Sequence, residues 1–176
     1  MKIKIKNTIM AGHITLGNTV DVTDPCYDKD VWCRCTIKNV AAGKYACYAI
    51  IADERSFGQR VAKARIVLDD GSDAAKDTQA RVQKGRSWRY NTTIGVDAGV
   101  AGFFADKPDF DDDQWSELCD WMFSQEEDKA FVKRFDNETD GFWTSSGYGD
   151  GCYDVCAIRS LVNGKPMITA LEIRFL

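Results

Sequence analysis

The chain has 176 residues, 44% hydrophobic and 28% charged, which suffices for one hydrophobic core and excludes disorder as a global description. Its net charge of −4, from 27 acidic against 23 basic side chains, argues against a protein that grips nucleic-acid backbones. No run approaches the ~18 apolar residues of a membrane span, and Met1-Lys2-Ile3-Lys4-Ile5-Lys6 lacks the apolar stretch of a signal peptide, so a cytoplasmic protein is expected.

Residues 2–6 alternate Lys and Ile as a half-buried strand does, and 14–23 are rich in Ile, Val and Thr, with Gly12 and Gly17-Asn18 as turn marks. Asp24-Pro25 breaks that run. Strands are expected over 31–40 and 44–52, joined by a connection of hairpin length, and over 60–68. Residues 70–87 hold one isolated valine and no periodicity, and are expected as a mobile loop. Strand character resumes at Trp88 and again at Phe103-Phe104. Trp115, Leu118, Cys119, Met122 and Phe123 form an apolar stripe preceded by Asp111, Asp112 and Asp113, the pattern of a capped amphipathic helix. A second short helix is expected over 126–135. The chain then returns to strands, with Ser145-Ser146-Gly147-Tyr148-Gly149-Asp150-Gly151 as a tight hairpin turn and Asn163-Gly164 as another. The fold class is therefore α+β: a single domain, 1–176, of mainly antiparallel β-sheet (a sandwich or open barrel), with one or two short helices and a C-terminal β-hairpin.

Seven cysteines, an odd number, with no sign of export make a disulfide framework a poor reading. Cys26, Cys33 and Cys35 lie within ten residues of one another and could hold zinc, with Cys119 as a candidate fourth ligand; Cys47, Cys152, Cys156 and His13 are other candidates. Equally, the same thiols serve as small buried hydrophobes. Asp24, Asp97 and Asp150 fall at strand ends beside Gly or Pro, where carboxylates either carry acid–base chemistry or bind turn N–H groups. The 147–151 run could cradle a phosphate but lacks the lysine and following helix of a phosphate-binding loop. Between Asp106 and Asp128 ten acids, Asp111, Asp112, Asp113, Glu117 and Asp120 among them, face the single base Lys107. Such a belt is either a solvated helix face or a surface for a basic partner.

Three segments carry a resemblance: Thr23-Asp24-Pro25-Cys26-Tyr27 with Trp32-Cys33, Gly95-Val96-Asp97-Ala98-Gly99 with Ala101 to Phe104, and Ser145 to Gly151 with Tyr153. In this order they resemble a family of small phage, prophage and bacterial proteins known only as a domain of unknown function. The family pattern includes a helix cysteine, matched by Cys119, whereas Cys35, Cys47, Cys152 and Cys156 are additions to it. The resemblance implies a mobile-element origin but no chemistry. By analogy with small acidic phage proteins, it suggests a non-enzymatic inhibitor of a host defence protein, foremost an RNA-guided (CRISPR) nuclease, with a structural zinc site. Two alternatives stand beside it. One is a small hydrolase or nucleotide-binding protein using Asp24, Asp97, Asp150 and the 147–151 loop; the other is a toxin-immunity protein.

Overall fold

Alternating apolar and polar side chains build eleven strands and two α-helices among the described residues of this computed structural model, 3–28, 31–106, 111–124, 130–134 and 140–176. The side chains of Trp115, Leu118, Trp121, Met122, Phe123 and 130–134 lie outside that description, and with them most of the expected helix stripe. One sheet has six strands in the spatial order β1 (Ile5–Leu16), β4 (Gly43–Asp53), β5 (Gln59–Leu68), β11 (Lys165–Arg174), β10 (Gly151–Val162) and β6 (Arg89–Val96). The other has five, ordered β3 (Arg34–Lys38), β2 (Thr19–Thr23), β7 (Val100–Phe104), β9 (Asp140–Ser145) and β8 (Ala130–Arg134). Every strand pairing is antiparallel, and the mainly antiparallel α+β expectation is met.

The two sheets bury one core between them. Ile14, Tyr45, Ile66, Ile94 and Leu171 of the first meet Val20, Val22, Ile37, Phe103 and Phe142 of the second. Phe103 stacks on Phe142 with centroids 6.4 Å apart. Because side chains alternate across a strand, Phe104 and Trp143 stack on the opposite face, at 5.6 Å, and are fully buried as well.

A third layer is α1 (Asp73–Lys84), lying where a mobile loop was expected at 70–87. Its start is capped by Ser72, whose hydroxyl accepts from the Ala75 N–H at 3.1 Å, and its end by Gly85 at φ 69°. The helix has no apolar stripe because its contact with the six-stranded sheet is largely polar. Buried Thr78 hydrogen-bonds Ser160 and Thr169 in the sheet at 2.9 and 2.6 Å, and Val82 packs against a small cluster of Val67, Ile158 and Ala170. On that same face the fully buried Glu172 lies among Lys63 (3.2 Å), Arg65 (2.8 Å) and Arg174 (2.9 Å). Burial pushes its carboxyl up, but the Arg65 and Lys63 charges outweigh this and hold it below the usual range.

Other expectations are corrected. Residues 130–134 form an edge strand rather than part of a second helix over 126–135. No hairpin joins β3 to β4, since they belong to different sheets. Gly12 is no turn: it sits at a bulge inside β1, at φ 145°. The run Ser145–Gly151 does not close a hairpin either. It carries the chain from β9 in one sheet to β10 in the other. The C-terminal hairpin is β10–β11, turned by Asn163 and Gly164 with φ 49° and 76°, as Asn-Gly favours. Among the described residues no helix is long and apolar enough to cross a membrane.

Gly102 sits where β7 meets β9. A Cβ there would lie 2.0 Å from the Phe142 carbonyl oxygen and 2.5 Å from Trp143 Cα. Gly102→Ala should therefore destabilise the protein by about 3 kcal/mol, read from the midpoint of urea unfolding followed by tryptophan fluorescence.

Candidate functional site

The three segments that carry the resemblance are far apart in sequence and meet at one end of the sandwich. Asp24, fully buried, is their junction. Its Oδ1 accepts from the Cys26 N–H at 3.0 Å, closing the turn that Pro25 begins. Its Oδ2 accepts from the N–H groups of Asp97 and Ala98, at 3.0 and 2.7 Å. The Asp24 N–H in turn donates to the Cys33 carbonyl at 3.1 Å, and the Thr23 hydroxyl donates to the carbonyls of Asp24 and Cys33. Burial raises the Asp24 carboxyl above its ordinary value, against the lowering effect of the three N–H donors.

Neighbouring side chains lock the same junction. The Tyr27 hydroxyl donates to Asp97 Oδ2, and that bond, ahead of burial, pushes the phenol well above its usual range. Half of the Trp32 surface and more is exposed, yet its ring lies against Gly95, where a Cβ would come within 1.9 Å of it. The glycine-rich run joins through Ser146, whose N–H donates to the Gly99 carbonyl at 2.9 Å. Tyr153 steadies the run by donating to the carbonyls of Ser146 and Gly149, at 3.1 and 2.7 Å.

Several of the expected site residues are brought together here. Cys33 is buried, and its thiol is pushed up to about 11, first by burial and then by the charges of Asp24, Asp97, Cys152 and Asp150. The three aspartates of the alternative site thus act on one thiol. That environment keeps the thiol protonated at neutral pH, the reverse of an activated nucleophile. Cys26 and Cys119 also meet: a hydrogen bond between the two thiols opposes the rise that burial imposes on Cys119. This contact ties α2 (Asp112–Phe123) to the Asp24 turn.

The proposed zinc ligands do not assemble as a set of four. Cys35 lies on β3 opposite Val22 and packs against the main core. Among the described residues no three His, Cys, Asp or Glu side chains are placed to hold one metal ion. Cys47 and Cys156 are buried in the six-stranded sheet, and His13 hydrogen-bonds Asp69 at 2.8 Å. Of the acidic belt, Asp111, Asp112, Asp113, Glu117 and Asp120 are all exposed, and the last turn of α2 carries no basic residue; Asp109, Glu126, Glu127 and Asp128 lie outside the described residues.

A second feature has no counterpart in the sequence reading. Tyr148, at the tip of the glycine-rich run, donates to Glu54 at 3.0 Å and meets Phe57 edge-on at 6.3 Å. The pairing is visible only in three dimensions, since 94 residues separate Tyr148 from Glu54. Compared with protein-family models, curated proteins and solved structures, the chain matches none.

Removing the buried Asp24 carboxylate leaves the N–H groups of Cys26, Asp97 and Ala98 without their acceptor. Asp24→Ala should lower stability by roughly 3 kcal/mol. The pH dependence has a defined sign. Since the folded-state pKa lies above the unfolded value, the native protein keeps a proton that the unfolded chain has already lost. This residue's contribution therefore falls as pH rises from the ordinary aspartate value of about 3.9 through the folded value, then levels off. Unfolding free energies measured across that acidic window should show this falling component in the wild type and not in Asp24→Ala.

Proposed function

We propose that the protein is a non-enzymatic binding protein of mobile-element origin that docks its acidic α2 face on a basic surface of a host defence protein. The observation that carries this reading is the exposure of Asp111, Asp112, Asp113, Glu117 and Asp120 on and beside one helix, with no base in its last turn. A basic groove built to hold a nucleic-acid backbone is the natural complement to such a face. Opposite charges there would speed encounter and exclude the nucleic acid. The partner class is therefore a nucleic-acid-handling protein, and an RNA-guided nuclease is the leading member. The resemblance to small phage and prophage proteins supports the same direction.

The junction at Asp24 supports a binding role over a hydrolytic one, because backbone N–H groups occupy both oxygens of that carboxylate. Such a carboxylate holds loops in place. A structural zinc ion on Cys26 and Cys119 belongs to the same proposal, since these thiols join α2 to the junction. Two Cys ligands would leave two positions to be filled.

Replacing Asp112, Asp113, Glu117 and Asp120 by lysine should weaken binding to an RNA-guided nuclease roughly a hundredfold at low salt, and the corresponding Asn and Gln variant should fall between. Equal affinity of all three proteins would overturn the acidic-face reading. For zinc, elemental analysis of the purified protein should give one equivalent of metal that is lost in a Cys26→Ser, Cys119→Ser variant; a folded, metal-free wild type defeats that part alone.

A further inference from the structure

We propose that a cleft between the start of the chain and the tip of the glycine-rich run binds a purine nucleoside 5′-phosphate, with the base on Phe57 and Tyr148 and the phosphate on Arg55. The cleft has a volume of about 430 Å³ and is lined by Lys4, Asp53, Glu54, Arg55, Phe57 and Tyr148, among others. That is within the size range of small-molecule sites, roughly 300–1,000 Å³. None of its lining residues belongs to the acidic helix, and the proposal is independent of the docking function.

Its chemistry is that of a stacking site. Phe57 and Tyr148 are 66% and 58% exposed, and their rings are fixed at 87° to each other. Large exposed aromatic rings are unusual on a surface, and here both are held by their neighbours. The Tyr148 hydroxyl is tied to Glu54 Oε2, and the Arg60 guanidinium lies 5.8 Å from the Tyr148 ring centroid. The cation lends its charge to one side of the platform, so that a π-system can stack at the exposed aromatic surface.

The polar groups select the ligand. Glu54 spends Oε2 on Tyr148, while its Oε1 has no hydrogen bond among the described residues. A carboxylate oxygen in that place accepts from a base edge with N–H donors, and guanine presents two adjacent ones, the ring N1–H and the N2 amino group. Asp53 is already satisfied: it accepts from the Arg55 N–H at 3.0 Å, pairs with Lys4 at 3.5 Å, and is held below the usual carboxylate range, chiefly by that backbone bond. The Arg55 guanidinium has no ion pair among the described residues. Its backbone stands at φ 58°, a conformation non-glycine residues rarely adopt. A guanidinium without a carboxylate partner takes an anion.

Titration calorimetry of the full chain with GMP, guanosine and inorganic phosphate tests the site. GMP is expected to bind, with guanosine about tenfold weaker and phosphate weaker than either. Phe57→Ala should lose tenfold or more in GMP affinity, as loss of a stacking ring does. Arg55→Gly relieves the backbone and so keeps the fold. It should bind GMP no better than the wild type binds guanosine. A single-stranded guanine-containing oligonucleotide that binds tighter than GMP and still depends on Phe57 would assign the site to the end of a strand rather than to a free nucleotide. No GMP or oligonucleotide binding at millimolar concentration, or binding unchanged in Phe57→Ala, overturns the proposal.

Discussion

The Asp24 carboxylate sits where water does not reach it and takes three backbone N–H groups from two turns that are more than seventy residues apart in the chain. Leaving a carboxylate buried is unfavourable unless its oxygens are satisfied, and here backbone donors satisfy them. This constraint fixes the turn at Pro25 against the turn after β6. Cys33, Trp32 and Tyr27 are then held by the same two turns, and Cys119 reaches α2 into the group through Cys26. The end of the sandwich where the three segments converge is organised around one buried carboxyl group.

The strands were legible because their side chains alternate in the chain itself. Thus β5, and the Asn163-Gly164 turn between β10 and β11, lie close to where the pattern puts them. The α1 helix was not, because it packs through Thr78 and Ala75 instead of an apolar stripe; its only local signals are the caps Ser72 and Gly85. The misreading of 126–135 has a related cause, since strand β8 is a five-residue edge element with little sequence over which to show its period. The candidate site was half legible. Asp24, Asp97 and Asp150 stand out as aspartates beside Gly and Pro, but the partners of Asp24 are backbone N–H groups, and a backbone N–H has no residue identity to read. The cleft at Tyr148 was invisible for a simpler reason: its walls come from three separate stretches of the chain, at residues 3–4, 53–57 and 148.

Thiols and carboxylates in this protein are arranged for holding rather than for reacting. Cys33, Cys47 and Cys156 are buried with their pKa values raised, burial being the leading cause in each. Glu172 is spent on three cations within the six-stranded sheet. What remains for function is at the surface: an acidic helix, and an aromatic cleft lined by two bases, Lys4 and Arg55, and two acids, Asp53 and Glu54. One is uniformly acidic and the other mixes both signs with aromatic rings, so they suit different partners.

Strand β11 lies in the middle of the six-stranded sheet, with β5 on one side and β10 on the other. Until it is in place, β1, β4 and β5 form one fragment and β10 and β6 another, with no ladder between them. Of the six strands of this sheet, the last in chain order is therefore the one that turns two half-sheets into a whole. During translation the N-terminal half must wait with the open edge of β5 exposed, a surface that invites pairing with the wrong strand. The sequence meets that hazard on β5 itself, where Arg60, Lys63 and Arg65 alternate with the apolar residues and place like charges along the waiting edge. In the finished sheet two of these, Lys63 and Arg65, become the counter-ions of Glu172 on the arriving strand. The residues that repel a stranger are the ones that recognise the proper partner.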